Sequence, residues 1–320
     1  MLALDAVKAM LLCAGLGTRL RPLTAERPKP LVPLLGRPLA AYALDALAHA
    51  GARDVVANTF HLGEQIDSGL RPSAESHGMT LATIHEQKLL GTGGGIRNAR
   101  EQLQGELFVV FNGDVLADVD IAAAVSLHRE SGARMTMILR EDPRAEALGA
   151  IEVDSGGRVR RILGEGPPSD VPVKKCMFTG IYVLSGDVFD ELPVEGCIVR
   201  HTLRRWMARG ERVSAVIDSG LWFDLGTIAQ YAAVTFGLLD GSLSLRGIPA
   251  IDRSVSVASD VHIASSVTLA THVRLERDCV VEGEGDVSHV IAWEGAHVRA
   301  PLRRSIVTSA GVHAALDAVV

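Results

Sequence analysis

Cysteine is scarce in this sequence: the 320 residues include four cysteines, which lie far apart and form no C-x-x-C pair. This spacing excludes a zinc site built from cysteines and is typical of a protein from a reducing compartment. Apolar runs long enough to span a bilayer are also missing. Residues 1–8 lack the basic region of a secretory signal, so we expect a cytoplasmic protein without a membrane partner.

The chain has no excess of positive charge. Its 32 lysines and arginines are outnumbered by 38 aspartates and glutamates, which gives a formal net charge of −6. This balance argues against a broad nucleic-acid-binding surface, so any nucleotide would be bound at a local site. The hydrophobic fraction of 48% indicates a packed core, and the length suggests two domains.

Two common nucleotide-binding patterns are absent as well. The Walker A pattern needs a lysine directly after its second glycine, and no lysine has that place here. The dinucleotide fingerprint G-x-G-x-x-G fails because Leu20 occupies the third glycine position. A phosphate-binding site in this chain therefore needs a different loop.

A different glycine turn follows the first predicted strand, residues 9–14. The strand ends at Gly15 and Gly17, where glycine allows a sharp turn that exposes backbone N–H groups to an anion. Arg19 follows at once, and Lys29 comes ten residues later. Backbone donors combined with two cationic side chains favour binding of a triphosphate.

Helical spacing alternates with short apolar runs along most of the chain. Helices are predicted at 38–50, 96–103 and 121–129, the second of them preceded by a polar, glycine-rich segment at 86–95. The apolar run 107–111 is typical of a strand covered on both faces. This alternation predicts an α/β fold with a mostly parallel sheet and helices on both faces, and ligands bound beyond the carboxyl ends of the strands.

The loop as a whole follows the pattern G-x-G-T-R-x-x-P-x-T-x-x-x-P-K-P. Its nine fixed positions are Gly15, Gly17, Thr18, Arg19, Pro22, Thr24, Pro28, Lys29 and Pro30. This resembles the sugar-1-phosphate nucleotidyltransferases, also called NDP-sugar pyrophosphorylases, from Lys8 to about Asp240. The resemblance implies a Rossmann-like catalytic domain that transfers a nucleoside monophosphate from a nucleoside triphosphate to a sugar-1-phosphate, with release of pyrophosphate.

Two aspartates are candidate metal ligands. Asp114 ends the motif Asn-Gly-Asp after a buried strand, and Asp224 lies in Trp-Phe-Asp-Leu-Gly-Thr. A carboxylate at such a position can bind Mg²⁺, although capping of a turn or helix is the alternative for each. The family has two aspartates in corresponding motifs that together hold Mg²⁺, so the resemblance implies this cofactor.

The resemblance also implies the nucleotide-binding residues. Arg19 and Lys29 are predicted to be catalytic, with Arg19 on the leaving β- and γ-phosphates and Lys29 bridging the α-phosphate and the incoming phosphate. Relatives place a base-reading side chain where Glu86 lies, and a carboxylate, which only accepts hydrogen bonds, favours guanine over uracil. A solvent-facing Glu86 would remove that argument. The predicted set is Ala14, Gly15, Gly17, Thr18, Arg19, Glu86, Gly91, Thr92 and Gly93.

The sugar-phosphate site is predicted with one departure from the family pattern. Relatives often have Glu-Lys-Pro, whereas Glu165 is followed by Gly166 and Pro167, so the lysine is missing there. Lys174 or Lys175 could supply the charge, or the two could form a solvated surface pair. The predicted set is Asn112, Gly149, Glu165, Lys174, Lys175, Thr179 and Gly180.

The tail has apolar residues at every sixth position, a period that no α-helix has. One series is Ile251, Val257, Ile263, Leu269, Leu275 and Val281, and the other is Val255, Val261, Val267, Val273 and Cys279. The repeat resembles the hexapeptides of left-handed parallel β-helices, with a plain β-sandwich as the alternative. We therefore expect a catalytic domain at 1–245 and a short left-handed β-helix at 246–320, through which the chain forms a homo-oligomer.

The sequence leaves more than one substrate pair and more than one function open. The sequence is similar to mannose-1-phosphate guanylyltransferase-like and N-acetylmuramate-1-phosphate uridylyltransferase-like members. GTP with mannose-1-phosphate is favoured, and UTP with an amino-sugar or muramic-type 1-phosphate is the alternative. A non-catalytic nucleotide-sugar-binding subunit is disfavoured by the intact Arg19, Lys29, Asp114 and Asp224. A hexapeptide acyltransferase is disfavoured because the coil is short and has no long inserted loop.

Overall fold

The computed structural model describes residues 7–166, 169–246 and 253–316. The chain divides into two compact units, Met1–Gly15 with Ala40–Phe223, and Leu16–Leu39 with Asp224–Val320. Each unit has its own hydrophobic core. The predicted domain boundary at 245/246 lies beside residues 247–252, which are outside the described residues, and stays a prediction.

The strands that precede the C-terminal coil are mostly short, and β2 and β3 belong to the second unit. They are β1 (Val7–Leu12), β2 (Pro33–Leu34), β3 (Arg37–Pro38), β4 (Ala52–Thr59), β5 (Thr80–His85), β6 (Leu107–Asn112), β7 (Val115–Ala117), β8 (Met135–Arg140), β9 (Ile151–Asp154), β10 (Val159–Ile162), β11 (Val173–Ser185), β12 (Val213–Ile217) and β13 (Trp222–Asp224).

The helices alternate with these strands, as the sequence predicts. They are α1 (Leu39–His49), α2 (Glu64–Ser76), α3 (Gly91–Asn98), α4 (Arg100–Leu103), α5 (Ile121–Ser131), α6 (Ala145–Leu148), α7 (Arg204–Ala208) and α8 (Ile228–Leu239). Within the described residues, no helix is both long enough and apolar enough to cross a membrane.

The first unit is built on a nine-stranded mixed sheet in the order β10-β9-β11-β6-β1-β4-β5, in which β8 also pairs with β11 and β12 pairs with β8. The strands β6, β1, β4 and β5 run parallel, and β11 runs antiparallel to β6. Strands β9 and β10 pair antiparallel as a hairpin. The predicted α/β class with a Rossmann-like sheet is confirmed.

The register of the central strands brings three chain segments to one edge of the sheet. Leu12, the last residue of β1, lies opposite Asn58 of β4 and Asn112 of β6. The apolar residues of β6 are buried, as expected for a strand covered on both faces. The polar residues that follow these strands therefore meet at the carboxyl edge, where ligands bind in such folds.

The glycine-rich segment differs from its prediction, because Gly91 to Gly95 lie inside α3 instead of preceding a helix that starts at 96. Glycine is a poor helix former, but close packing requires it here. A Cβ at Gly93 would lie 2.7 Å from Pro193 Cγ, and a Cβ at Gly94 would lie 2.5 Å from the carbonyl oxygen of Val194. Tertiary contacts thus override the helix propensity of this segment.

The second unit contains the C-terminal coil. Its strands are β14 (Val255–Val257), β15 (His262–Ile263), β16 (Val267–Leu269), β17 (Val273–Leu275), β18 (Val280–Ala292), β19 (His297–Val307) and β20 (His313–Ala315). β14 pairs in parallel with β17, Val255 opposite Val273, and β15 pairs in parallel with β18, His262 opposite Val280. Each partner lies three hexads further along the chain, as expected for a coil with three hexads per turn.

The apolar side chains of the coil are buried at its centre and partly exposed in its first turn. Leu275 and Val281 are buried, whereas Val257 and Ile263, the equivalent residues of the first turn, are each 38% exposed. Ile251, which begins the same predicted series, lies outside the described residues. The hexapeptide periodicity therefore identifies equivalent apolar positions of successive turns. How far each side chain is buried depends on where its turn lies in the coil.

The segment Leu16–Leu39 packs within the second unit through buried polar contacts. The hydroxyl of Tyr231, in α8, donates to the carbonyl oxygen of Pro33, and Trp293 Nε1 donates to that hydroxyl at 3.1 Å. Both aromatic side chains are buried. The guanidinium of Arg27 lies 5.6 Å from the centre of the Trp293 ring. Helix α8 and the coil thereby support the segment that carries Arg19 and Lys29.

Candidate active site

Three of the predicted site residues form one ionic cluster in the second unit. Lys29 Nζ lies 2.9 Å from Asp224 Oδ1, and Arg19 Nη2 lies 3.3 Å from Asp224 Oδ2. The side chain of Lys29 is 7% exposed, whereas that of Arg19 is 67% exposed. The cluster therefore presents one buried cation and one accessible cation on either side of a carboxylate.

The motif residues around Arg19 shape its loop. Gly17 has a φ of +59°, which glycine adopts without strain, and a Cβ there would lie 3.0 Å from Thr24 Cγ2. The buried Thr24 donates from its hydroxyl to the carbonyl oxygen of Gly17 at 2.9 Å. Thr18 lies exposed at the start of a 3₁₀ turn, and the Gly15 N–H donates to the Cys13 carbonyl oxygen at 3.0 Å. The Gly15 amide thus stabilises the turn in this structure.

Asp224 is charged in spite of its partial burial. Burial opposes its ionisation, but the charges and hydrogen bonds of Lys29 and Arg19 outweigh that effect and hold the pKa of the carboxyl below its usual range. The capping alternative does not apply to Asp224, because Thr227 is the N-cap of α8 and accepts from Gln230 N–H. Asp224 is therefore an ionised carboxylate that pairs with both cations.

A glycine in the same motif makes room for Arg19. A Cβ at Gly226 would lie 2.9 Å from Arg19 Nη2, so any larger residue would displace the guanidinium. The Gly226 N–H also donates to the carbonyl oxygen of Asp224 at 2.7 Å. The motif Trp-Phe-Asp-Leu-Gly-Thr thus supplies both the carboxylate and the space for its cationic partner.

The second predicted carboxylate, Asp114, lies at the carboxyl edge of the first unit. The Gly113 N–H donates to the Leu12 carbonyl oxygen at 2.9 Å, and a Cβ at Gly113 would lie 2.8 Å from Cys13 Sγ. Burial, and then the negative charge of Asp114, raise the pKa of the Cys13 thiol far above its ordinary value. The thiol therefore stays neutral beside the half-buried side chain of Asp114.

These carboxylates fit a hard cation. Each carboxylate by itself offers oxygen donors, which Mg²⁺ prefers, and in the first unit the neutral thiol of Cys13 does not compete with Asp114. Across residues 7–166, 169–246 and 253–316, no group of three or more His, Cys, Asp or Glu side chains is arranged to hold a metal ion. A magnesium ion at either carboxylate would therefore take part of its coordination from phosphates and water, as Mg²⁺ commonly does.

Glu86 has a different environment from the one its base-reading prediction requires. Its side chain is 1% exposed. Oε1 accepts from Asn58 Nδ2 at 2.7 Å, and Oε2 accepts from the Leu90 N–H at 2.9 Å. Because both oxygens have intramolecular partners, the carboxylate is not presented to a nucleobase in this structure. The preference for guanine that rests on Glu86 loses its physical support.

The polar groups of the glycine-rich segment also have intramolecular partners. Thr92 Oγ1 accepts from the Ile198 N–H at 3.0 Å, and the Gly93 N–H donates to the Gly196 carbonyl oxygen at 2.8 Å. Gly91 has a φ of +72°, and a Cβ there would lie 2.8 Å from the same carbonyl oxygen. Residues 193–198, which the sequence did not single out, thus hold the start of α3. Any contact of these residues with a base stays a prediction.

Three residues of the predicted sugar site come together. Gly180 has a φ of +82°, and a Cβ there would lie 2.5 Å from Asn112 Nδ2, so the close approach requires glycine. Thr179 Oγ1 donates to the Ile138 carbonyl oxygen at 2.6 Å. Trp222 Nε1 donates to the Thr179 carbonyl oxygen at 2.8 Å, although no role was predicted for Trp222. The side chain of Asn112 therefore sits against a strand interruption that its neighbours stabilise.

The charged residues of the predicted sugar site do not join this group. Lys174 is exposed and pairs with Glu141 at 2.6 Å, and Lys175 is exposed and pairs with Glu146 at 2.5 Å. Glu165 is exposed and forms an ion pair with Arg204. These contacts fit the alternative of solvated surface pairs, because each charge is already compensated by a neighbouring side chain.

Gly149 has a local structural role. It ends α6 with a φ of +94°, and a Cβ there would lie 2.2 Å from Leu163 Cδ2. Left-handed backbone and a close contact both require glycine at this position. The structure thus explains the residue without a ligand.

Comparison with known proteins identifies a family and several relatives. The profile of the family described as Nucleotidyl transferase matches residues 8–240. A relative from Mycobacterium tuberculosis named mannose-1-phosphate guanylyltransferase is 33% identical over 256 residues, which are 77% of this chain and 69% of the relative. A relative from Synechocystis named UTP–glucose-1-phosphate uridylyltransferase is 30% identical over 283 residues, which are 81% of this chain and 70% of the relative.

Solved structures share the fold. UTP-bound UGPase from Acinetobacter baumannii matches with a TM-score of 0.62 and 20% identity, over 74% of this chain and 94% of that one. HddC from Yersinia pseudotuberculosis matches with a TM-score of 0.59 and 21% identity, over 72% of this chain and 98% of that one. The resemblance predicted from the glycine turn is confirmed, and the chain belongs to the nucleotidyl transferase family.

Proposed function

We propose that the chain is a sugar-1-phosphate nucleotidyltransferase, which transfers a nucleoside monophosphate from a nucleoside triphosphate to a sugar-1-phosphate and releases pyrophosphate. The observation that carries this proposal is the cluster of Arg19, Lys29 and Asp224. Its two cations suit a polyphosphate, and its carboxylate suits the accompanying metal ion. The names of the relatives support the same reaction class.

The reaction requires positioning and charge neutralisation more than new covalent chemistry. The phosphate of the sugar is already a competent nucleophile, so an in-line attack on the α-phosphorus needs no enzyme-bound intermediate and no strong base. Lys29, held by its burial and by Asp224, would bridge the α-phosphate and the incoming phosphate. Arg19, which is exposed, would contact the β- and γ-phosphates as pyrophosphate leaves.

Asp114 and Asp224 would hold Mg²⁺. When bound, the ion neutralises negative charge on the transferring phosphoryl group. Asp224 then has a second task, because its ion pairs hold Arg19 and Lys29 in place before the substrates arrive. Phosphate oxygens that attract both cations would leave the Asp224 carboxylate able to hold the metal ion.

We further propose GTP and mannose-1-phosphate as substrates, now on the basis of relatives alone. The guanylyltransferase from Mycobacterium tuberculosis supports this pair, while the uridylyltransferase from Synechocystis supports UTP. An amino-sugar or muramic-type 1-phosphate with UTP is the second candidate. Because Glu86 is occupied by Asn58 and Leu90, the side-chain chemistry of that position does not choose between the bases.

A matrix of five nucleoside triphosphates against common sugar-1-phosphates tests the function, with pyrophosphate release as the readout in the presence of Mg²⁺. We expect GTP with mannose-1-phosphate to have the highest kcat/KM. A higher value for any UTP pair would overturn the substrate assignment but leave the reaction class intact. No pyrophosphate with any pair, from protein shown to be folded by circular dichroism, would overturn the function itself.

The coil is proposed to mediate self-association. Val257 and Ile263 expose apolar side chains on the first turn, and burying such surface against a second copy is favourable. We expect the mass in solution to be a multiple of 34.0 kDa, and Val257→Ser with Ile263→Ser to reduce it. Monomeric wild-type protein at micromolar concentration would contradict this.

All four cysteines are unpaired, which supports the expected reducing, cytoplasmic setting.

A further inference from the structure

A row of buried polar groups runs along the carboxyl ends of the neighbouring strands β1, β4 and β5. The Cys13 N–H donates to Asn58 Oδ1 at 2.9 Å. Asn58 Nδ2 donates to Glu86 Oε1 at 2.7 Å, and the Leu90 N–H donates to Glu86 Oε2 at 2.9 Å. Asn58 is 4% exposed and Glu86 is 1% exposed, so both side chains are shielded from water.

The two ends of the row belong to the two segments that a nucleotide is expected to contact. Cys13 directly precedes Ala14 and Gly15 of the phosphate loop, and Leu90 directly precedes α3, which starts at Gly91. Both ends are backbone N–H donors. Asn58 must therefore offer an acceptor to the Cys13 N–H, and Glu86 must offer an acceptor to the Leu90 N–H. Between the two side chains, one must donate and the other must accept.

We propose that Asn58 and Glu86 are positioning residues that fix the start of the phosphate loop and the start of α3 in a single relative arrangement for the nucleoside triphosphate. The proposal rests on the proposed function for the identity of the ligand. It replaces the base-reading role of Glu86 with an indirect one, in which the side chain acts through the backbone of Cys13 and Leu90 and does not distinguish one base from another.

Close packing by α3 restricts this row further. A Cβ at Gly95 would lie 2.7 Å from Asn58 Nδ2 and 2.8 Å from Glu86 Oε1, so only glycine lets α3 approach the row this closely. The Glu86 N–H also donates to the Thr59 carbonyl oxygen at 2.8 Å, which ties Glu86 to β4. With contacts on both sides, neither side chain can rotate away to resolve a mismatched hydrogen bond.

The pattern of donors and acceptors permits a sharp test. In Glu86→Gln, the new amide group must face either the Leu90 N–H or Asn58 Nδ2, and flipping Asn58 only passes the clash to the Cys13 N–H. In Asn58→Asp, a second carboxylate faces Glu86. The double variant restores every bond: the introduced aspartate accepts from the Cys13 N–H and from the introduced glutamine, whose own oxygen accepts from the Leu90 N–H.

We expect each single variant to lower kcat/KM by about 10- to 100-fold, since a buried, mismatched donor carries a penalty of that size and reduces the competent population. The loss should be equal for GTP and UTP. The double variant should recover most of it. Assays at pH 8 make proton sharing between two carboxylates costly, because these groups ordinarily titrate at about pH 4. All proteins are assayed at a temperature where circular dichroism shows them folded.

Asp54→Asn is the matched control. Asp54 accepts from the Thr80 hydroxyl at 2.8 Å and joins the same strands β4 and β5 at their opposite, exposed ends. We expect activity near that of the wild type. The Asn58–Glu86 proposal is overturned if the double variant is no better than the poorer single variant, or if Glu86→Gln changes the GTP-to-UTP ratio, since that ratio reports direct base reading.

The proposal and the reaction can fail separately. If the wild type releases no pyrophosphate with any substrate pair, the wild type and the three row variants are compared by calorimetric titration with GTP and with UTP. Recovery of nucleotide affinity in the double variant would support the positioning role of Asn58 and Glu86, and only the proposed reaction would then lack support. No recovery would overturn the row, and absence of nucleotide binding by the wild type would overturn both.

Discussion

Replacing Lys29 by methionine is expected to lower kcat by about 100-fold or more, because removal of one preorganised charge-stabilising group typically costs ~3–4 kcal/mol of transition-state stabilisation. The Lys29 side chain is 7% exposed and held by Asp224 at 2.9 Å, so its position is fixed before substrates bind. Methionine keeps most of the side-chain volume and removes the charge. Steady-state kinetics with the best substrate pair measures the effect.

Arg71→Met is the control for this substitution. Arg71 lies on α2, is 45% exposed and pairs with Asp67, so its replacement should leave kcat close to that of the wild type. If Lys29→Met lost less than about tenfold, the lysine would have a structural role and the catalytic assignment of the cluster would be wrong. A comparison of thermal unfolding for both variants separates loss of function from loss of fold.

Asp114→Asn is the second substitution for which we expect a large loss, about 100-fold in turnover at fixed Mg²⁺, since it removes one hard oxygen donor and a full negative charge. The side chain keeps its size beside Cys13, and the Gly113 N–H bond to Leu12 does not involve it. The protein should therefore stay folded. A Mg²⁺ titration of activity should show half-saturation at a higher concentration than in the wild type.

Asp187→Asn is the control, since it shows whether the loss of a surface carboxylate elsewhere lowers turnover as Asp114→Asn does. Asp187 is 69% exposed and pairs with Arg134, so its loss should not change the Mg²⁺ dependence. Near-normal turnover of Asp114→Asn at saturating Mg²⁺ would assign Asp114 a structural role next to Cys13 and leave Asp224 as the remaining carboxylate candidate.

The residues that the sequence predicted well are those whose constraints are local. Gly17 and Thr24 lie seven residues apart in one loop, and the structure shows a left-handed glycine and a hydroxyl that closes the turn. Spacing along the chain determines such contacts almost completely. The hexapeptide period is equally informative, because each hexad repeats the same step of the coil.

The contacts that the sequence could not predict involve partners far along the chain. Glu86 has the same spacing whether it faces a base or Asn58, and the partner lies on a neighbouring strand. The surface pairs of Lys174 and Lys175 involve residues on other elements in the same way. Nothing in the spacing of either lysine indicates that a glutamate already compensates its charge.

The glycines of α3 illustrate the same limit. Gly93 and Gly94 are adjacent to residues 193–196, and only that packing explains a helix with a glycine-rich start. Propensity alone predicts an irregular segment, since glycine loses more backbone entropy in a helix than other residues. A tertiary contact with a distant part of the chain determines the local conformation.

The hydrogen bonds from Trp293 to Tyr231 and from Tyr231 to Pro33 have a consequence for anyone who recombines this chain with its relatives. A hybrid that joins a foreign catalytic portion to this coil would separate the indole from the hydroxyl it was matched to. The portable segment is therefore discontinuous: Leu16–Leu39 must travel with the residues from Asp224 onward. Exchanging the two pieces together keeps Lys29 next to Asp224, whereas exchanging either alone separates the buried Tyr231 hydroxyl from the Pro33 carbonyl oxygen that it was matched to.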